Sequence, residues 1–141
     1  MIVLDTNVVS GIMQPLPDGI LLEWLDRRPV DLLWLTSVTI MEVRFGIELM
    51  AHGRRRRQLT EAFVRLQEKT LQGRILPFDR ESAERSAEFS AKRRLAGRPV
   101  EFRDVETAGI AAARGATLAT RNIRDFDGMG IDIVNPWERC R

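Results

Sequence analysis

The chain has 141 residues and a mass of 16.1 kDa, the size of one domain at roughly 150 residues per domain. Its 44% hydrophobic residues supply a core, 30% charged residues keep that core solvated, and no stretch approaches the ~18 consecutive apolar residues a membrane span needs. One cysteine, Cys140, and one histidine, His52, exclude an intramolecular disulfide and a Cys-based zinc site, and disfavour a His-rich metal centre or a Ser-His-Asp triad.

The net charge is only +2, yet the pI is about 9.3 and 20 of the 22 basic residues are Arg, with Lys only at Lys69 and Lys92. The planar guanidinium fork suits phosphate, so a nucleic-acid partner is compatible with this usage, as is compositional bias of the source genome. The N-terminus lacks the basic region and cleavage site of a secretory signal, so the cytoplasm is expected and no membrane.

Short β-type runs alternate with helical stretches, the pattern of βα units around a parallel sheet. The first strand is expected at Ile2 to Leu4, and Asp5 follows it directly with Thr6 and Asn7. The carboxyl end of a buried strand is where open α/β sheets bind ligands, but Asp is also a good helix cap; the residue alone leaves both readings open. Ile20, Leu21, Trp24 and Leu25 recur at helical spacing until Pro29, and a second strand is expected at Leu32 to Thr36. In the helix opening near Ser37, Val38, Met41, Phe45 and Leu49 define a stripe on which Glu42 also falls. Glu is rarely buried unless paired or bound to a cation, so Glu42 points at a cavity or metal, or else sits at the stripe edge beside water or an Arg.

Arg54 to Arg57 reads as a solvated helix start rather than a backbone-binding patch, with Leu59, Phe63 and Leu66 striping the helix that Gly73 ends. A strand is expected at Arg74 to Phe78. The Ala-, Glu- and Arg-rich helix Ser82 to Leu95 follows, stopped by Gly97 and Pro99. Asp104 precedes Val105 to Arg114, a helix whose small residues (Ala108, Gly109, Ala111, Ala112, Ala113) allow close packing against a sheet; helix capping is the ordinary role of an Asp there. A strand at Ala116 to Thr120 runs into Thr120, Arg121, Asn122, Asp125 and Phe126, and the last strand is expected at Ile131 to Val134. These elements make one three-layer α/β domain over residues 1–141, a central parallel sheet of about five strands flanked by helices.

If the first and fourth strands are neighbours, Asp5 and the Thr120 to Asp125 loop open onto one crevice. Two carboxylates ~4 Å apart repel by roughly 4 kcal/mol at an effective dielectric of ~20, so converging acids require a counter-charge. Oxygen-only ligands without His or Cys suit Mg²⁺ or Mn²⁺, which keep several waters and take one or two direct carboxylates.

Taken in order, Val3-Leu4-Asp5-Thr6-Asn7, Thr36-Ser37-Val38-Thr39 leading to Glu42 and Gly46, Asp104 with Ala111 and Ala112, and Gly115 through Asn122 with Asp125-Phe126 and Asn135-Pro136-Trp137 resemble the PIN domain, and within it the VapC-type ribonuclease toxins, FitB-like branch. The resemblance implies that Asp5, Glu42 and Asp104 bind Mg²⁺ and are catalytic, with Thr6 and Asn7 orienting Asp5 or a water, and Thr120 auxiliary beside them. Many PIN domains carry a fourth acid where this chain has Asn122, a departure that leaves Asp125 as a substitute or as a loop cap. It further implies a single-stranded RNA substrate cut to a 5′-phosphate and 3′-hydroxyl, a homodimer, and an antitoxin that blocks the site, with DNA met only through that antitoxin. Arg44 and Arg121 are candidate phosphate contacts by their position in sequence. Two rivals remain: a non-catalytic PIN-like module that binds RNA or a partner, and a haloacid-dehalogenase-type phosphatase, which wants an Asp where Asn7 stands.

Overall fold

The computed structural model describes residues 1–139, so Cys140 lies outside the described residues. Five parallel strands, β1 (Ile2–Leu4), β2 (Leu33–Thr36), β3 (Ile75–Leu76), β4 (Thr117–Ala119) and β5 (Ile133–Val134), lie in the spatial order β3-β2-β1-β4-β5. The order reverses at β1, with β2 on one side and β4 on the other. That is the switch point at which α/β sheets open a crevice beyond their strands' carboxyl ends. β1 runs as expected, and the other four strands are shorter than the apolar runs suggested; Leu32, for instance, belongs to a 3₁₀ turn (Val30–Leu32).

Both faces of the sheet are covered, which explains why β1 is a continuous apolar run rather than an alternating one. On one face, Leu4, Leu33 and Leu35 pack with Val8 and Val9 of α1 (Thr6–Ile12), Leu21 and Trp24 of α2 (Gly19–Asp26), Val43 and Ile47 of α3 (Ser37–Glu48) and Phe63 of α4 (Arg54–Arg65). On the other, Val3, Leu76 and Leu118 pack with Phe89 of α5 (Arg80–Leu95) and Val105, Ala108, Ile110 and Ala111 of α6 (Phe102–Arg114). The Arg54 to Arg57 run does open α4, and that helix continues as a π turn over Leu66–Thr70. No helix among the described residues is long and apolar enough to cross a membrane.

The small residues of α6 serve a close approach to α5. A Cβ on Gly109 would lie 2.0 Å from Ser86 Oγ and 2.4 Å from the Ser82 carbonyl oxygen, so only glycine fits there. The Ser86 hydroxyl donates to the Ser82 carbonyl at 2.7 Å within that contact. Gly115, at φ +61°, ends α6 in the left-handed conformation and turns the chain into β4.

Candidate active site

The site begins with backbone pairing. Leu4 stands opposite Ala119 in the β1/β4 register, and Asp5 N–H donates to the Ala119 carbonyl at 3.0 Å, so the next residues, Asp5 and Thr120, leave the sheet side by side. The Thr120 hydroxyl donates to Asp5 Oδ2 at 2.8 Å, while Asp5 Oδ1 accepts the Thr6 N–H at 2.8 Å as the N-cap of α1. The cap and ligand readings of Asp5 are therefore not alternatives: the cap fixes the carboxylate at the crevice. Asn7 Nδ2 lies 3.3 Å from Asp5 Oδ2 and 3.1 Å from Thr120 Oγ1, and Asn7 Oδ1 accepts the Arg121 N–H at 3.2 Å. Asp5 is only 5% exposed. Burial raises its pKa above the ordinary carboxylate value, the Thr120 and Thr6 hydrogen bonds oppose that rise, and the Asp125 charge adds to it.

Glu42 reaches the same crevice from α3, whose start is held by the Thr36 hydroxyl accepting the Thr39 N–H at 3.0 Å. The buried face of α3 carries Val38, Thr39, Val43 and Ile47. Met41, Phe45 and Leu49, expected in the core, are exposed instead. Both rows follow helical spacing, so periodicity could not choose between them. Glu42 lies at their boundary, its pKa raised first by partial burial and also by Asp5, while Thr6 and Arg103 favour its charge.

Asp104 is not the N-cap of α6. The helix begins at Phe102, with Glu101 in the cap position making no side-chain cap bond, and Asp104 stands in the first turn. Its pKa is pushed up to about 6, by burial first and then by Asp5, Asp125, Glu101 and Glu42 in that order. Three acids from other elements, Asp5, Asp125 and Glu42, thus act on one carboxyl together with Glu101 at the cap of its own helix. Asn122 directs its side chain to no hydrogen-bond partner among the described residues; its N–H donates to Thr120 Oγ1 at 3.1 Å. Asp125, in the 3₁₀ turn Ile123–Phe126, raises the pKa of both Asp5 and Asp104, so it brings to the crevice the charge that Asn122 lacks.

The two candidate arginines part company. Arg44 pairs with Glu48 one turn along α3 and does not join the acids. Arg121 lies flat on Trp137, its guanidinium carbon 3.9 Å from the ring centroid, beside Asn7.

Sequence reasoning missed Arg103, which pairs with Glu101 at 2.8 Å and reaches Glu42 at 3.9 Å, and whose only signal was adjacency to Asp104. It also missed Arg93 of α5. That guanidinium donates to the Arg98 carbonyl at 3.2 Å and to the Asp127 carbonyl, tying the segment before α6 to the turn that carries Asp125. Nothing local in the sequence marks that bridge.

The crevice suits a hard divalent cation in three respects. Its acids offer oxygen donors, burial and then their mutual repulsion raise the pKa values of Asp5, Glu42 and Asp104, and the buried Thr6 hydroxyl beside Glu42 makes no hydrogen bond of full geometry among the described residues. Among the described residues no three His, Cys, Asp or Glu side chains form a ready-made cage, so the fit is to an ion that takes few direct carboxylates and retains water.

Fold and crevice together define an α/β protein with an acidic site at the sheet's switch point. The PIN domain family matches residues 2–131, and the chain belongs to that family. It is 37% identical over 138 residues to the VapC ribonuclease Y4jK of Sinorhizobium fredii, covering 98% of this chain and 99% of that protein. It is 33% identical over 137 residues to toxin FitB of Neisseria gonorrhoeae, covering 97% and 99%. Among solved structures, a FitAB complex bound to an IR36 DNA fragment superposes with a TM-score of 0.91 at 30% identity, covering 100% of this chain and 99% of that one.

Proposed function

We propose that the chain, acting as one domain in the cytoplasm, is a Mg²⁺-dependent endoribonuclease that cuts single-stranded RNA and is the toxin of a type II toxin–antitoxin pair. The observation that carries this reading is the convergence of Asp5, Glu42, Asp104 and Asp125 on one crevice with raised pKa values for the first three. Relatives named as a VapC ribonuclease and, in Shigella flexneri, a tRNA(fMet)-specific endonuclease at 31% identity support RNA as the substrate.

Asp5 and Asp104 would hold Mg²⁺, or Mn²⁺, with Glu42 beside them. Bound there, such an ion supplies Lewis-acid polarisation of a phosphoryl oxygen and lowers the pKa of water. Thr120, Thr6 and Asn7 hold the Asp5 carboxylate in one orientation. Glu42, only partly buried and of raised pKa, orients the attacking water and draws off its proton as the oxygen bonds to phosphorus. The P–O3′ bond breaks, and the departing O3′ takes a proton from water, leaving a 5′-phosphate and a 3′-hydroxyl. Asp125 completes the acidic rim in place of the family's usual fourth acid.

The antitoxin is proposed to dock on the exposed row Met41, Phe45 and Leu49 of α3, which runs away from Glu42 past a depression of about 300 Å³ lined by Met41, Glu42, Phe45 and Arg103. The FitAB complexes of similar fold support such a partner, with DNA reached through it. The toxin itself is proposed to be a homodimer.

Asp5→Asn and Asp104→Asn should each abolish Mg²⁺-dependent cleavage of single-stranded RNA while circular dichroism shows an unchanged fold. Either variant cutting at the wild-type rate would refute the assignment. The uncharged Asn122 favours one rival, a binding module without catalysis. Antitoxin-free protein that leaves RNA intact at saturating Mn²⁺ would establish it.

A further inference from the structure

The geometry points to Arg121, held flat by Trp137, as the fork that grips an RNA phosphate flanking the scissile bond, with Trp137 as its positioning residue; this rests on the nuclease reading above.

Of Arg44, Arg103 and Arg121, only Arg121 keeps its charge uncompensated; Arg124, beside Asp125, also lacks an acidic partner among the described residues, but no side-chain contact there holds it in place. Arg44 is committed to Glu48, and Arg103 to Glu101 and Glu42. Arg121 has no acidic partner among the described residues. Its N–H is anchored on Asn7 Oδ1 at 3.2 Å, inside the network that orients Asp5, so the side chain departs from the edge of the catalytic crevice. It then stacks on the Trp137 indole at 3.9 Å. Stacking holds the guanidinium plane through its π face and consumes none of the N–H donors on its edge. What remains is a fixed, exposed fork, which matches the two non-bridging oxygens of a phosphodiester.

Trp137 is itself seated. Its backbone N–H donates to Asn135 Oδ1 at 3.0 Å, and a Cβ on Gly11 of α1 would lie 3.1 Å from its Cζ2, so the indole rests directly on the helix that Asp5 caps. Carboxylate and fork are thus referred to one rigid element. An arginine otherwise loses much rotamer freedom on binding, and the indole removes that cost beforehand.

The test measures binding apart from cleavage. In the Asp5→Asn background, the affinity for a fluorescein-labelled single-stranded RNA is measured by anisotropy across a salt series. Arg121→Ala should weaken binding about tenfold and reduce the slope of log K against log salt by roughly 0.7, the value for one lost phosphate contact on a single strand. Arg121→Lys, which keeps the charge, should keep the slope but not the full affinity. Trp137→Ala should weaken binding several-fold, and Trp137→Phe, which keeps a stacking face, should restore most of it. In otherwise wild-type protein the same variants should raise KM more than they lower kcat. An unchanged slope in Arg121→Ala, or wild-type affinity in Trp137→Ala, would overturn the proposal. A wild-type protein that binds RNA with this pattern but never cuts it would instead overturn the nuclease reading alone.

Discussion

Asp5 and Asp79 do the same structural work and are set up in opposite ways. Each is an N-cap whose carboxylate accepts a backbone N–H of the first helical turn, Thr6 for α1 and Ser82 for α5, and each also accepts a hydroxyl, from Thr120 or Ser82. Asp79 adds Arg114 at 2.9 Å, and the Ser82 side chain, the Ser82 N–H and then Arg114 bring its pKa below the ordinary value. Asp5 is buried without a cation, and its pKa is raised. A cap that serves only the helix is given the partners that stabilise its charge. Asp5, proposed as a metal ligand, is buried without a counter-charge among the described residues, and an incoming cation would fill that place.

The largest break in this symmetry is expected in catalysis. Asp5→Asn should abolish Mg²⁺-dependent RNA cleavage, as expected if its carboxylate holds the ion proposed to polarise the phosphoryl oxygen. Asp79→Ala should leave the cleavage rate of the folded protein unchanged while lowering its melting temperature. Equal losses of activity in the two variants would erase the distinction.

The next effect is on stability against pH in metal-free protein. The folded-state pKa of Asp104, about 6, lies above its ordinary 3.8, so folding favours its protonated form. That contribution is complete below pH ~4 and is lost as pH rises through about 6. Asp79 has the opposite sign: its contribution is present above the ordinary value and is lost as pH falls through its lowered one. In EDTA, Asp104→Asn should therefore melt close to wild type at pH 4 and above it at pH 7, whereas Asp79→Ala should melt below wild type at pH 7 and approach it in acid. Added Mg²⁺ should raise the wild-type melting temperature at pH 7 and leave Asp104→Asn nearly unmoved. Coincident wild-type and Asp104→Asn curves at pH 7 would mean that the acids do not converge.

A smaller loss is expected at Arg93. Its side chain joins the Arg98 and Asp127 carbonyls, one ahead of Asp104 and the other just beyond Asp125. Arg93→Ala should loosen the spacing of those two acids, lowering cleavage several-fold and weakening the Mg²⁺-induced thermal shift. Arg93→Lys, which retains one donor, should recover part of each. An undiminished thermal shift in Arg93→Ala would make the bridge a matter of surface packing.

Much of this was legible in the chain. The apolar runs located all five strands because both sheet faces are covered; Asp5 was marked by following such a run, Thr120 by ending one, and Asp104 by preceding a helix of small residues. The neighbouring of β1 and β4 could be posed as a condition and is met. What the chain did not disclose depends on contacts between distant segments. The buried row of α3 was misassigned because two helical rows of apolar residues compete and only the packing partner selects one. The pairing of Arg103 with Glu42 joins α6 to α3, and the hold of Arg121 on Trp137 joins residues on either side of β5; neither has a local spacing signal. The two roles open to Asp125, substitute acid or loop cap, could not be separated in the sequence, because its effect on Asp5 and Asp104 depends on where the turn lands rather than on its composition.

The smallest effect should be at Glu42, where the comparison narrows. Convergence of acids alone predicts that Glu42→Gln stabilises the metal-free protein by removing one repelling charge. The Arg103 guanidinium, however, stands 3.9 Å from Glu42, and the Glu42 side chain keeps 20% of its surface in water. Removing the charge relieves Asp5 and Asp104 but strips Arg103 of one of its two acidic partners, leaving Glu101. Glu42→Gln in EDTA should therefore raise the melting temperature less than Asp104→Asn does at the same pH. In the Arg103→Ala background, where the compensation is gone, the same substitution should raise it more. An equal rise in both backgrounds would show that Arg103 does not offset Glu42, and would place Glu42 with Asp5 as an acid lacking a counter-charge.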